Sequence, residues 1–397
     1  MKTANPSARE PMTPRERVLA AAKGLPVDRT PVMYWLNPHT TCRLLAEYRP
    51  GRNHVVRLLA SYLWRRFIQR GEFDAPEWVR ALPLLFEEYG NGTYVLELRA
   101  DVSIQSPALI SPINFVRGVR WKNGRLRVQG PFGTTMGLGG IYMEPLELPI
   151  KNADDLNAHQ LPPIVDKQFA AIRNIRQAHP ETCILVEVAS LQQAVCDFMI
   201  GTMQFMLALY DYPDAIKEFM GRMADWIIEM VRCAVRAGAD IVYLQDDYGM
   251  TDRPLISVDM WREYTYPHLK RIVDAAHDAG VPIMLHSCGY QMPFLDYYVE
   301  AGVDVLQSFQ PKAGNDFEAA YEKYGDRLTF ATGIDVQQGE RMTPHELRDS
   351  ILRSYEIGRH KGRHILAMTH MMQYTMPLQN VRAILDTVGE IQRGRHD

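Results

Sequence analysis

From about residue 180 onward the chain alternates short apolar runs with longer amphipathic stretches. Apolar runs at 183–188, 240–245, 281–286, 303–308, 328–332 and 364–368 have the length of buried strands. Between them, 214–237, 258–279 and 343–361 repeat their apolar positions at helical spacing. Several passages into the strands share one cue: Ala237-Gly238-Ala239-Asp240, Ala279-Gly280-Val281 and Ala301-Gly302-Val303-Asp304. A glycine there suits the left-handed cap that ends a helix. Repeated strand–helix units predict a parallel sheet, and six in succession predict an α/β protein of the (β/α)8 TIM barrel type rather than an open sheet.

The N-terminal part is less regular. Residues 13–23 read as a helix and 31–36 as the first barrel strand. Residues 40 to about 95 read as helical and aromatic, with Tyr62, Trp64, Phe67, Trp78 and Phe86. Runs at 116–121 and 126–128 flank Lys122-Asn123-Gly124-Arg125, and Asn-Gly is a strong hairpin signal. No Gly/Ser/Pro linker divides the sequence, so residues 1–397 are expected to form a single barrel domain, with 40–150 as an N-terminal helical and β-hairpin elaboration. The glycine-rich stretch from Gly130 to Gly140 has neither GxGxxG nor a Walker lysine. It is expected to be a flexible loop, not a nucleotide cradle.

Composition narrows the functional classes. With 46% hydrophobic and 23% charged residues the chain has the make-up of a globular enzyme. A formal charge of −3 gives no reason to expect nucleic acid or an anionic membrane as partner. Cys42, Cys183, Cys196, Cys233 and Cys288 are odd in number and lack CxxC spacing, which favours a reducing cytoplasm over disulfide-forming secretion. The first ten residues lack the apolar core of a signal peptide, and no apolar run approaches the ~20 residues of a membrane span.

The chemistry gathers where barrel strands end, since active sites of such barrels form at the C-terminal rim. His286-Ser287-Cys288-Gly289 closes one strand, and side chains two apart on a strand share a face. Imidazole and thiolate are ligands that zinc favours. His370, at the mouth of the last strand, is the candidate third ligand, leaving a coordination position open as catalytic zinc sites do. Asp246-Asp247 ends the preceding strand. Either carboxylate could serve as a further ligand, or as an acceptor that orients His286, and an Asp there also commonly caps the next helix. Asp335, after Gly333, is a candidate for substrate contact or for capping a turn. Gln307, Ser308 and Gln310 add polar groups at the same rim.

These motifs resemble the uroporphyrinogen decarboxylase-like superfamily, and within it the zinc- and corrinoid-dependent methyltransferases. The resemblance rests on Arg15-Glu16-Arg17-Val18 with Asp28-Arg29-Thr30-Pro31-Val32, the stretch from Gly201 to Pro213, and Gly238-Ala239-Asp240 with Asp246-Asp247. Leu285-His286-Ser287-Cys288-Gly289, Ala301-Gly302-Val303-Asp304-Val305 and Thr332-Gly333-Ile334-Asp335 complete it. It implies a distorted (β/α)8 barrel. Two departures matter. The decarboxylases carry an arginine-rich motif after the first strand, where this chain reads Met33-Tyr34-Trp35-Leu36-Asn37. The methyltransferases usually supply their third zinc ligand as a cysteine, where this chain has His370.

The resemblance thus implies a zinc-dependent methyltransferase that moves a methyl group between a small molecule and a corrinoid. The chain has no Asp-x-His-x-x-Gly cobalamin motif, so the corrinoid (cobalamin) is expected on a separate protein. Tyr34, Trp35, Tyr142, Met143, Met371, Met372 and Tyr374 would make an apolar, aromatic pocket suited to a methoxylated aromatic donor. Two rivals remain: a metal-free decarboxylase-like lyase, which needs cations around the pocket, and a non-catalytic ligand-binding barrel.

Overall fold

The computed structural model describes residues 11–36, 40, 98–107, 120–122, 125–139, 142–373 and 375–394. In chain order its strands are β1 (Val32–Met33), β2 (Val102–Gln105), β3 (Arg120–Lys122), β4 (Arg125–Gln129), β5 (Thr135–Gly139), β6 (Tyr142–Glu147) and β7 (Cys183–Val188). They continue with β8 (Ile241–Gln245), β9 (Ile283–His286), β10 (Val305–Gln307), β11 (Thr329–Ile334) and β12 (His364–Met368). Eight of them form one parallel sheet in the order β1-β12-β11-β10-β9-β8-β7-β2. The two end strands meet through Asp101: its N–H donates to the Val32 carbonyl at 2.9 Å, and its carboxylate accepts the Val32 N–H at 2.9 Å. The architecture is a (β/α)8 TIM barrel.

Aspartates set at the starts of strands fix the register at the N-terminal end. Asp101 takes the Val32 N–H, Asp240 takes the Ile184 N–H at 2.8 Å, and Asp304 takes the Ile283 N–H at 2.8 Å. Each thereby ties the strand it precedes to the strand before it in chain order. Buried carboxylates need compensation, and arginines supply it here. Asp101 meets Arg17 at 2.6 Å and Arg29 at 2.8 Å, while Asp240 meets Arg15 at 2.6 Å and also Arg176.

Local signals explain the helices around the barrel. Pro14–Ala22 and Pro344–Arg359 each start with a capping box, Thr13 with Glu16 and Thr343 with Glu346. Pro213–Ala237 stops at Gly238, whose φ of 107° is left-handed. The helix expected over 258–279 is two helices, Val258–Tyr264 and Tyr266–Asp278. Pro267 breaks it, because proline lacks an N–H and its ring crowds the carbonyl four residues back. Among the described residues no helix is long and apolar enough to cross a membrane.

Two expectations need correction in the N-terminal region. Val102–Gln105, inside the stretch read as elaboration, is the second barrel strand and pairs with β7. The glycine-rich stretch is not a loop throughout: β5 lies between β4 and β6 in a four-stranded antiparallel sheet. A Cβ on Gly137 would sit 3.0 Å from the Leu146 side chain, so glycine answers close packing there. The expected hairpin is present, with Trp121 opposite Leu126 and Lys122 opposite Arg125. The helical reading of residues 41–95 lies outside the described residues.

Candidate metal centre

The bore of the barrel sets the site. Met33, Leu185, Tyr243, Met284 and Ala331 pack inside it with other apolar side chains. One pleat further along β9 stands His286, only 3% exposed. Past the ends of β8 and β9 two loops bring Asp247 and Cys288 to the same place. These loops touch backbone to backbone, since a Cβ on Gly289 would meet the Gly249 carbonyl oxygen at 2.4 Å and Gly289 has φ of 77°. Tyr290 donates its N–H to the Met250 carbonyl at 2.8 Å. Gln310 accepts the Gly289 N–H at 3.0 Å, and Asn315 donates to the Gly289 carbonyl at 2.9 Å. The Cys288 turn is therefore pinned from both sides.

Asp247, His286 and Cys288 each present a ligand atom, and these atoms all lie within 4.8 Å of one another. Asp247 Oδ1 accepts the Cys288 N–H at 2.8 Å and stands 3.5 Å from His286 Nε2, while its Oδ2 accepts from Gln193 Nε2 at 2.9 Å. Burial, with Asp247 alongside, pushes the Cys288 thiol well above the ordinary range. A bound cation would reverse that, since a coordinating thiol is deprotonated outright.

Gln307 decides which nitrogen of His286 is free. Its Nε2 donates to the Met368 carbonyl at 2.8 Å, so its Oε1 is the acceptor, taking the Tyr243 hydroxyl at 2.8 Å and the His286 Nδ1–H. His286 Nε2 is then the lone-pair nitrogen facing Asp247. A ligand histidine held through its other nitrogen by a carbonyl is the usual arrangement around metals. In the sequence Gln307 stands out only as one of several polar groups at the rim. A glutamine closing an otherwise apolar strand was the available signal.

His370 is close to this group but outside it. Its ring centroid is 5.7 Å from that of His286, and it stacks on Trp35 at 5.4 Å with 16° between the planes. Two imidazoles on one tetrahedral zinc at ~2.0–2.1 Å place their centroids roughly 5 Å apart, so the separation is compatible with shared ligation. His370 Nδ1 is buried without a hydrogen-bond partner. Burial first, and then the His286 ring, lower its pKa to about 4, which keeps the imidazole neutral. The three-donor group thus includes Asp247, and His370 offers an unpartnered nitrogen beside it. Nitrogen, sulfur and oxygen donors of this kind, with an oriented histidine, fit zinc.

Other expected site residues are placed differently. Tyr34 and Trp35, just past the end of β1, point to opposite sides. Trp35 faces the bore, with its ring centroid 5.5 Å from His286. Tyr34 packs with Leu366, Met368 and Ile384 in the core beneath the last two helices, and so does not line the pocket. Asp246 is fully buried and accepts the N–H groups of Gln192 and Gln193 at 3.1 and 2.7 Å. It holds the neighbouring loop. Burial pushes its carboxyl up to about 7 despite those bonds. Asp335 spends both oxygens on its own turn, bonding Gln337 N at 2.9 Å and Gln338 Nε2 at 2.8 Å. That is the turn-capping alternative. Met371 is partly exposed at the end of β12, and Met372 is buried with its N–H on the Trp35 carbonyl at 2.8 Å. Tyr142 opens β6, paired with Gly139; its side chain, like that of Met143 and all of Tyr374, lies outside the described residues.

Known proteins share this framework. The chain is 24% identical over 386 residues to the uroporphyrinogen decarboxylase of Anaeromyxobacter dehalogenans (strain 2CP-C), covering 94% of this chain and 97% of that one. It is 22% identical over 394 residues to the uroporphyrinogen decarboxylase of Coxiella burnetii (strain Dugway 5J108-111), covering 94% of each. Its fold is similar to that of a methyltransferase from Methanosarcina mazei, with a TM-score of 0.63 at 18% identity over 96% of this chain and 99% of that one. The family model for uroporphyrinogen decarboxylase (URO-D) matches residues 133–391, and the chain belongs to that family.

Proposed function

We propose that this chain is a zinc-dependent methyltransferase, which takes a methyl group from a small methoxylated aromatic compound and passes it to a corrinoid carried by a separate protein. The observation that carries this reading is the convergence of Asp247, His286 and Cys288 at the barrel mouth. Asp247, His286 and Cys288 would hold the metal and leave its fourth position to the substrate oxygen, with the unpartnered nitrogen of His370 beside it. Zinc bound there supplies Lewis acidity, which makes an aryl ether oxygen a better leaving group. Gln307 keeps Nε2 of His286 available, and Trp35 stacked on His370 offers a flat apolar wall to an aromatic ring. The reducing cytoplasm suits a site that needs Cys288 as a free thiol.

The second reading is decarboxylation of a carboxylate-rich substrate, and the named relatives favour it. A substrate with many carboxylates calls for cations at the pocket. The exit of the first strand, from Met33 to Asn37, offers none.

One pair of assays separates the two. Zinc-loaded protein, cob(I)alamin and 2-methoxyphenol are expected to give methylcobalamin, followed by its absorption spectrum, and Cys288→Ser is expected to abolish the signal. Release of carbon dioxide from uroporphyrinogen, undiminished in Cys288→Ser, would reverse the assignment.

A further inference from the structure

Parallel strands that pair in register project their side chains to the same side, which relates Glu187 to the metal centre. Glu187 pairs with Tyr243, Gln245 with His286, and Gln307 with His286. Cys183 and Leu185 on the same strand, like Tyr243 on the next, belong to the core inside the bore, so Glu187 faces that bore at its C-terminal end. One strand, β8, lies between it and His286, which makes two strand spacings, roughly 10 Å along the wall. That is about the span of one substituted aromatic ring.

What surrounds Glu187 is unusual for a carboxyl in such a place. Ser106 donates its hydroxyl to one oxygen and Gln245 its amide N–H to the other. No lysine or arginine pairs with it among the described residues, and burial outweighs the two hydrogen bonds to raise its pKa. A carboxyl left without a cation inside a protein is costly. Yet this one, besides bridging β7 to Gln245 of β8 and to Ser106 just past β2, is partly exposed and has an acceptor lone pair to spare on each oxygen.

We propose that Glu187, held by Ser106 and Gln245, is a substrate-binding residue that receives a hydroxyl group of the substrate while the substrate's methyl-bearing oxygen lies at Asp247, His286 and Cys288. The inference rests on the methyltransferase reading and sharpens it: the donor is a methoxylated ring with a free hydroxyl, not a fully methylated one. Binding sites that hydrogen-bond a substrate hydroxyl discriminate against analogues lacking it, because their own polar group is then left unpaired.

Calorimetric titration of the zinc-loaded protein with 4-methoxyphenol and with 1,4-dimethoxybenzene, whose para oxygens lie at opposite ends of the ring, tests this without depending on turnover. Wild type is expected to bind the phenol at least about tenfold more tightly. Glu187→Leu is expected to bind both rings equally, with zinc content and melting temperature as controls on the fold. Glu187→Gln, which keeps an acceptor oxygen, is expected to retain part of the preference. Equal binding of the two rings by wild type, or an undiminished preference in Glu187→Leu, would overturn the inference and leave the metal centre standing. Failure of wild type to bind either ring would overturn the aromatic-substrate reading, and this inference with it.

Discussion

The two ends of the barrel treat buried carboxylates in opposite ways. At the N-terminal end, Asp101 and Asp240 each meet two guanidinium groups and also take a backbone N–H from the neighbouring strand. At the mouth, Glu187, Asp246 and Asp247 find only amides, a hydroxyl, an imidazole and a thiol among the described residues. The first arrangement is internally neutralised and explains a structure. The second leaves negative charge and lone pairs without a cation, which is what a site meant to receive a metal and a substrate requires. Barrels of this architecture divide stability from function between the same two ends.

The comparison breaks most visibly at Asp101. Alanine there leaves Arg17, 5% exposed in its side chain, with Asp28 as its remaining carboxylate, takes the carboxylate from Arg29, and opens the seam between β1 and β2. Removing one member of a buried pair costs ~3–5 kcal/mol. Denaturant unfolding should show a loss of that order in Asp101→Ala, with the metal content of the folded fraction unchanged. A loss of metal with little loss of stability would mean that the two ends are not separate in role.

A smaller effect of the opposite kind is expected at Gln307. In Gln307→Leu, His286 Nδ1 loses its acceptor and the ring is free to take the wrong tautomer. Loss of such an orienting partner typically weakens metal binding ~10–100-fold. Competition with a chromogenic chelator would measure it. An unchanged affinity would remove Gln307 from the site.

The smallest effect is in the pH dependence of stability, where the two ends should differ in sign. The Arg17 hydrogen bond lowers the Asp28 pKa from its ordinary value of 3.8. Its contribution is therefore present above pH 3.8 and lost as pH falls through the lowered folded value. Burial raises the Glu187 pKa from 4.5. Its contribution is therefore fullest below pH 4.5 and declines as pH rises toward the raised value. Thermal melts across pH should show Asp28→Asn flattening the acid limb. Glu187→Gln should raise the melting temperature more at pH 7 than at pH 4, and equal shifts at the two pH values would count against a raised pKa.

The same contrast shows why parts of the molecule were legible in the sequence and others were not. Strands such as Cys183–Val188 and His364–Met368 are apolar on both faces over most of their length, so the runs alone mark their bounds. Val102–Gln105 hid because Ser103 and Gln105 face the helices and satisfy each other, Gln105 Nε2 donating to Ser103 Oγ at 2.9 Å. The alternation then reads as a surface strand. His286 and Cys288 were legible because a two-residue spacing at the end of one strand is a local property. The strand-end pair Asp246-Asp247 was legible as a source of a further ligand, but that Asp247 is the one depends on two loops touching at Gly249 and Gly289, a tertiary fact that spacing does not encode. Tyr34 was misplaced by reading two adjacent residues as one surface.

Zinc stoichiometry tests the account most directly. Purified wild-type protein is expected to carry close to one zinc per chain by elemental analysis. Cys288→Ser, His286→Ala and Asp247→Ala should each lose most of it while keeping the wild-type circular dichroism spectrum, and His370→Ala shows whether the neighbouring imidazole is also a ligand. Wild-type protein that takes up no zinc when supplied with it, or folded variants of Cys288 and His286 that keep a full complement, would contradict the metal centre.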